Sequence, residues 1–129
     1  MDLIKSAVKA VEEVNGKDIK IYETKNINPL FDYAVIATVS SGRQLDAVIS
    51  HIEDEAAKEG FTIRGIEGKG GACWLLVDLY SIVIHVFTEE ERRHYDLDKL
   101  WRDLPTLDVE DYKKWLRFLN HFFCYLSQW

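Results

Sequence analysis

A chain of 129 residues, 47% hydrophobic and 29% charged, has the composition of one soluble globular domain, long enough for a real core and too short for two. Its net charge of −6, from 22 acidic against 16 basic residues, argues against a phosphate backbone as the main partner, because such binding needs clustered Lys and Arg. No stretch approaches the ~18–20 apolar residues of a membrane span, and the N-terminus lacks the unbroken apolar segment of a secretory signal. Cys73 and Cys124 have no metal-ligand spacing and read as reduced thiols of a cytoplasmic protein.

Residues 2–14 place Ile4, Ala7, Val8 and Val11 on one helical stripe that Gly16 ends. "DIKIYET" alternates Ile19 and Ile21 with polar residues, as a half-buried strand does. "NINP" is a turn. The apolar run 32–39, "DYAVIATV", has the length of a strand in the middle of a sheet. Ser41 and Gln44 form a capping-box pattern that opens a second helix; its stripe is Leu45, Val48, Ile49, Ile52 and Ala56, and Gly60 closes it. A third strand is expected at 61–66, followed by the glycine-rich "GIEGKGG" and the two strong strands "CWLLVDL" and "IVIHVF". The charged stretch 88–95 reads as helical and "DLDKLW" as a further short turn or helix.

Composition shifts after Asp103, at Pro105. Beyond it Val109, Tyr112, Leu116, Leu119, Phe123 and Leu126 recur at helical spacing, which predicts an amphipathic helix rich in aromatics. The predicted organisation is therefore a domain of interspersed helices and strands over 1–103 and an appended helix over 104–129.

The hairpin carries the most information. With Tyr80-Ser81 at the turn, Leu79 faces Ile82, Val77 faces Ile84 and Leu75 faces Val86, so that side is aliphatic core. The opposite side presents Trp74, Leu76, Asp78, Val83, His85 and Phe87. An unpaired buried carboxylate is costly, so this side is partly solvated or meets something polar. Three readings compete: Asp78 and His85 satisfy each other as diagonal neighbours, the Trp74 side is a recognition surface with aromatic anchors, or Asp78–His85 is a catalytic pair. The last lacks a visible nucleophile, since there is no GxSxG and Cys73 points to the other side.

Other chemistry finds no support. "GIEGKGG" precedes a strand and does not match the phosphate-cradling GxxxxGK[ST]. "SSGRQ" is better explained as a helix cap than as an anion site. His51, His85, His94 and His121 show no ligand spacing, and Asp96 with Asp98 follows a helix rather than a strand end, so no metal and no cofactor is expected.

The runs "DYAVIATVSSGRQLDAVISHIEDE", "IEG" and "WLLVDLYSIVIHVFTEEERRHYDLDKLW" resemble the ribosomal silencing factor, or Iojap, family over nearly all of 1–103. That resemblance implies an α/β fold with a mixed sheet flanked by helices, related to nucleotidyltransferases but without their catalytic carboxylates, and no enzymatic activity. It implies binding to large-subunit protein L14 (uL14), steric blocking of small-subunit joining with repression of translation, and a part in large-subunit assembly. It also implies partner contacts at Trp74, Asp78 and Leu79 on the strand and at Arg92, Arg93 and Tyr95 on the following helix, with Tyr80, His85 and Phe87 as secondary contacts. No membrane and no sequence-specific nucleic acid is expected as partner, and an exposed Trp74–Phe87 patch leaves room for a homodimer in the free protein. Two departures stand out: Tyr80-Ser81 replaces the family's usual Gly-Asp turn, which allows a wider turn, and the aromatic tail lies outside the common pattern. A divergent nucleotidyltransferase-like enzyme and an rRNA-binding assembly factor are the rival readings.

Overall fold

The computed structural model describes residues 3–68 and 73–114. Helix α1 (Leu3–Glu13) leads into β1 (Lys17–Glu23) and β2 (Tyr33–Val39), then α2 (Gly42–Glu59), β3 (Gly65–Glu67), β4 (Trp74–Asp78) and β5 (Ile82–Thr88). Short helices α3 (Glu89–Tyr95) and α4 (Leu97–Leu100) follow, then β6 (Thr106–Leu107) and a helical segment at 109–114. The strands form one mixed sheet in the order β3-β4-β5-β2-β1-β6. Among the described residues only β2 and β5 pair in parallel, and every residue of β2 after Tyr33 is buried, as the unbroken apolar run required of an interior strand.

Local chemistry explains where the large elements start and stop. Ser41 accepts from the Gln44 N–H while the Gln44 side chain accepts from the Ser41 N–H, closing the capping box. Gly60, at φ 79, takes the left-handed position and donates to the Ala56 carbonyl. At the end of α1 it is Asn15 that turns left-handed (φ 61), while Gly16 is needed for closeness: a Cβ there would meet Val11 Cγ1 at 2.3 Å. Glu55, buried on the inner side of α2, is paired with Lys9 of α1 at 2.9 Å, which ties the two helices together.

Helices α1 and α2 lie on one face of the sheet, over a core whose buried members among the described residues are aliphatic and include Ile21, Val35, Leu75, Val77, Ile84 and Val86. The hairpin register is the one parity dictated: Leu75 opposite Val86, Val77 opposite Ile84, and Leu79 N–H donating to the Ile82 carbonyl at 2.9 Å.

Three elements differ from expectation. The third strand covers only Gly65–Glu67, because Phe61 and Ile63 turn into the aliphatic core instead of continuing the ladder. The turn at Tyr80-Ser81 is tight rather than wide: Ser81 N–H donates back to the Leu79 carbonyl at 3.1 Å, with Tyr80 at φ 75, the γ-turn geometry that strains a bulky residue. The sheet also does not stop at 103. Glu23 N–H donates to the Pro105 carbonyl at 2.8 Å, β6 pairs with the edge of β1, and Val109 and Tyr112 pack on the aliphatic core. Proline fits there because an edge position asks nothing of its missing N–H. The Asp108 carboxylate accepts from Glu110 N–H and starts the helical segment, which Lys113 fastens to Glu12 of α1 at 3.1 Å. The rest of the expected amphipathic helix, including Leu116, Leu119, Phe123 and Leu126, lies outside the described residues.

Candidate functional site: the aromatic face

The second face of the sheet is built from different residues. Tyr22, Ile36 and Phe87 are its buried centre, with Trp74, Leu97, Trp101 and Leu104 packed around them. Trp74 stacks on Phe87, its cross-strand partner, at 5.1 Å between ring centroids, and lies 4.5 Å from the ring of Tyr95. Tyr95 closes α3 and remains 48% exposed; Leu100 of α4 is more exposed still. Gly68 passes so close beneath that a Cβ would lie 2.1 Å from the Trp74 carbonyl, which explains a glycine at that point of the connection.

The diagonal pairing of Asp78 with His85 does not form. His85 has two diagonal neighbours on β4, Trp74 and Asp78, and the twist of an antiparallel pair makes the two unequal. It is the Trp74 indole N–H that donates to His85 Nδ1, at 3.2 Å. Asp78 instead accepts from the Tyr80 N–H at 2.9 Å and faces Arg64 at 3.7 Å, while the Arg64 guanidinium lies over the Tyr80 ring. Burial pushes the His85 imidazole down to about 4, so it is neutral near pH 7. A neutral, enclosed histidine bonded to an indole, with Asp78 engaged by Tyr80 and Arg64, does not make the expected catalytic pair. Among the described residues no group of three or more His, Cys, Asp or Glu could hold a metal ion, and no helix is long and apolar enough to cross a membrane.

The charged stretch has a divided structure. Glu89, Glu90 and Glu91 occupy the first turn of α3, with Arg92, Arg93 and His94 in the last, each sign at the end of the helix dipole that favours it. Yet α3 has no buried residue, so packing alone does not hold it. Arg92 does. Its guanidinium grips Asp98 of α4 through two bonds of 3.0 and 3.2 Å, and donates to Thr38 Oγ1 at 2.7 Å and to the Asp18 carbonyl. That carbonyl is free because β1 carries an irregularity between Lys17 and Lys20, with Asp18 at φ 52. Tyr22 OH donates to the same Asp98 at 2.7 Å. Partial burial alone would raise the Asp98 pKa; the bonds from Arg92 and Tyr22 outweigh it and hold the carboxyl below the usual range. Burial and the bond to Asp98 together push the Tyr22 phenol up.

The nine residues expected to meet a partner therefore separate. Trp74, Asp78, Tyr80, Arg93 and Tyr95 are half-buried or exposed. Leu79 is 2% exposed and belongs to the aliphatic core, while His85 and Phe87 are enclosed beneath Trp74. Arg92 faces inward and is spent on Asp98, Thr38 and Asp18. Trp101 was not singled out by its sequence; it closes the cluster against Tyr22 and His85, at 5.8 and 6.1 Å. Its signal was available as an aromatic four residues beyond Leu97, one helical turn along.

This is an α/β protein whose second sheet face carries an aromatic platform. A family model described as "Ribosomal silencing factor during starvation" (RsfS) matches residues 1–118. The ribosomal silencing factor RsfS of Bacillus subtilis is 35% identical over 108 residues, covering 84% of this chain and 92% of that protein. RsfS of Halalkalibacterium halodurans is 34% identical, covering 84% of this chain and 93% of its own. A crystal structure of a Chromobacterium violaceum protein superposes with a TM-score of 0.72 at 33% identity, covering 78% of this chain and 87% of that one. The chain belongs to the RsfS family of non-enzymatic, ribosome-binding factors.

Proposed function

We propose that this protein binds L14 (uL14) on the free large ribosomal subunit through the Trp74–Tyr95 platform, and by occupying that place keeps the small subunit from joining. Translation falls as a result, and the same binding gives the protein a part in large-subunit assembly. Membership of the family supports the ribosomal partner. The observation that carries the choice of surface is Trp74, half-buried, stacked on Phe87 and tilted against the exposed Tyr95, with Leu100 of α4 exposed as well. Rigid aromatics with apolar support are what supply most of the energy of an interface. In this reading Trp74 and Tyr95 are the anchors, Arg93 is a rim contact, and Asp78 with Tyr80 extends the surface toward the hairpin tip. His85 and Phe87 support from below, Leu79 anchors the hairpin tip in the aliphatic core, and Arg92 positions α3. A net charge of −6 suits a basic partner, where complementary potential speeds encounter.

The test is co-sedimentation with separated large and small subunits at physiological salt. Wild type should pellet with the large subunit alone, and Trp74→Ala should bind about 30-fold more weakly, the ~2 kcal/mol of a lost anchor. Wild type that pellets with neither subunit would overturn the function; a folded Trp74→Ala that binds like wild type would overturn the surface.

A further inference from the structure

We propose that His85 is a positioning residue for the docking surface: its Nδ1 acceptor fixes the orientation of the Trp74 indole before any partner arrives. The inference rests on the reading of the Trp74 platform as that surface. A half-exposed tryptophan has two side-chain torsions and, left alone, can turn its N–H toward water. Here the N–H is committed inward, to His85 Nδ1 at 3.2 Å. The indole therefore offers an incoming protein ring carbon rather than a hydrogen-bond donor, and pays little ordering entropy on binding.

The acceptor is itself held firmly. His85 stands on β5 between Ile36 of β2 and Leu76 of β4, stacks nearly parallel to Phe87 (10° between planes, 6.1 Å between centroids), and meets Trp101 on its other side. An Nδ1 that accepts requires the proton to be on Nε2. The enclosed site favours the uncharged ring, so that lone pair is present at neutral pH. A leucine would fill this place in the sheet equally well, and burial alone gives no reason for an imidazole. The indole N–H gives one, because without the acceptor that donor would have to turn to water or lose its partner, and the ring would no longer be held in this orientation.

The experiment compares wild type with His85→Leu, which keeps bulk and removes the acceptor, and His85→Gln, which keeps an acceptor. The first readout needs no ribosome: the Trp74 indole ¹⁵N–¹H resonance, assigned with Trp74→Phe, and its exchange with solvent. In His85→Leu that resonance should move and exchange faster, large-subunit binding should weaken roughly tenfold, as for one lost hydrogen bond, and His85→Gln should recover part of both. A folded His85→Leu with an unchanged indole signal, or a freed indole with undiminished binding, overturns the proposal. If His85→Leu does not fold, the imidazole ¹⁵N shifts of wild type decide: a protonated Nε2 and bare Nδ1 support it, the opposite tautomer sinks it. Wild type that fails to bind large subunits while the indole behaves as stated would fault the docking reading and not the positioning.

Discussion

Trp74 and Leu75 are neighbours in the chain and face opposite sides of one strand, and they stand for two differently built halves of the molecule. On Leu75's side, α1 and α2 close over an all-aliphatic core, with many side chains wholly buried. On Trp74's side the packing is aromatic, the covering helices α3 and α4 bury no residue of their own, and polar bonds do the fastening. A surface that must meet a partner needs large groups left at the edge of water, so it cannot also be sealed. On the proposed reading, stability is concentrated on one face of the fold and recognition on the other.

Breaking the aliphatic side should have the largest effect on stability. Leu75, with no exposure at all, should cost about 3 kcal/mol when changed to Ala, through lost burial and the cavity left behind. A lower denaturant midpoint reads this, and binding per folded molecule should be unchanged.

Next in size is the fastening of α3. Arg92→Ala removes the fork on Asp98 and should cost about 2 kcal/mol at pH 7. Asp98 has a depressed pKa in the folded state, so the stability it contributes is present above its ordinary 3.8 and is lost as pH falls through the folded value. The gap between wild type and Arg92→Ala should accordingly narrow in acid to what the bonds to Thr38 and the Asp18 carbonyl contribute. A gap unchanged well below pH 4 would mean that the Asp98 fork contributes little.

The smallest effect sharpens the contrast by changing sign. Tyr80→Gly relieves a tyrosine at φ 75 and should raise stability by about 1 kcal/mol, less whatever the Arg64 contact contributes. If Tyr80 belongs to the docking surface, the same variant binds large subunits more weakly while melting higher. A strained side chain kept in spite of its cost is a reason to look for a use.

What could be read in advance followed local rules. The capping box at Ser41, the stop at Gly60 and the hairpin parity depend on residues close in sequence or directly paired, and each is found in the structure. Tyr22 shows where such rules end. In "DIKIYET" the alternation that puts Ile19 and Ile21 inside puts Tyr22 outside, yet it is 3% exposed because the second face is covered too. Arg92 was illegible for a similar reason. In a run of glutamates and arginines nothing local distinguishes a solvated arginine from one that reaches Asp98, Thr38 and a carbonyl freed by an irregular strand. The two-residue β6 is too short to carry a pattern at all, and Pro105 disguised it.

The most direct test of the central claim measures stability and large-subunit binding together for Trp74→Ala and Leu75→Ala. The account predicts opposite profiles: Leu75→Ala unfolds at a clearly lower denaturant concentration yet its folded fraction binds like wild type, whereas Trp74→Ala loses about 30-fold in affinity with the smaller loss of stability. Binding lost equally in both, or lost only in Leu75→Ala, would contradict the division of the sheet into a face that holds and a face that docks.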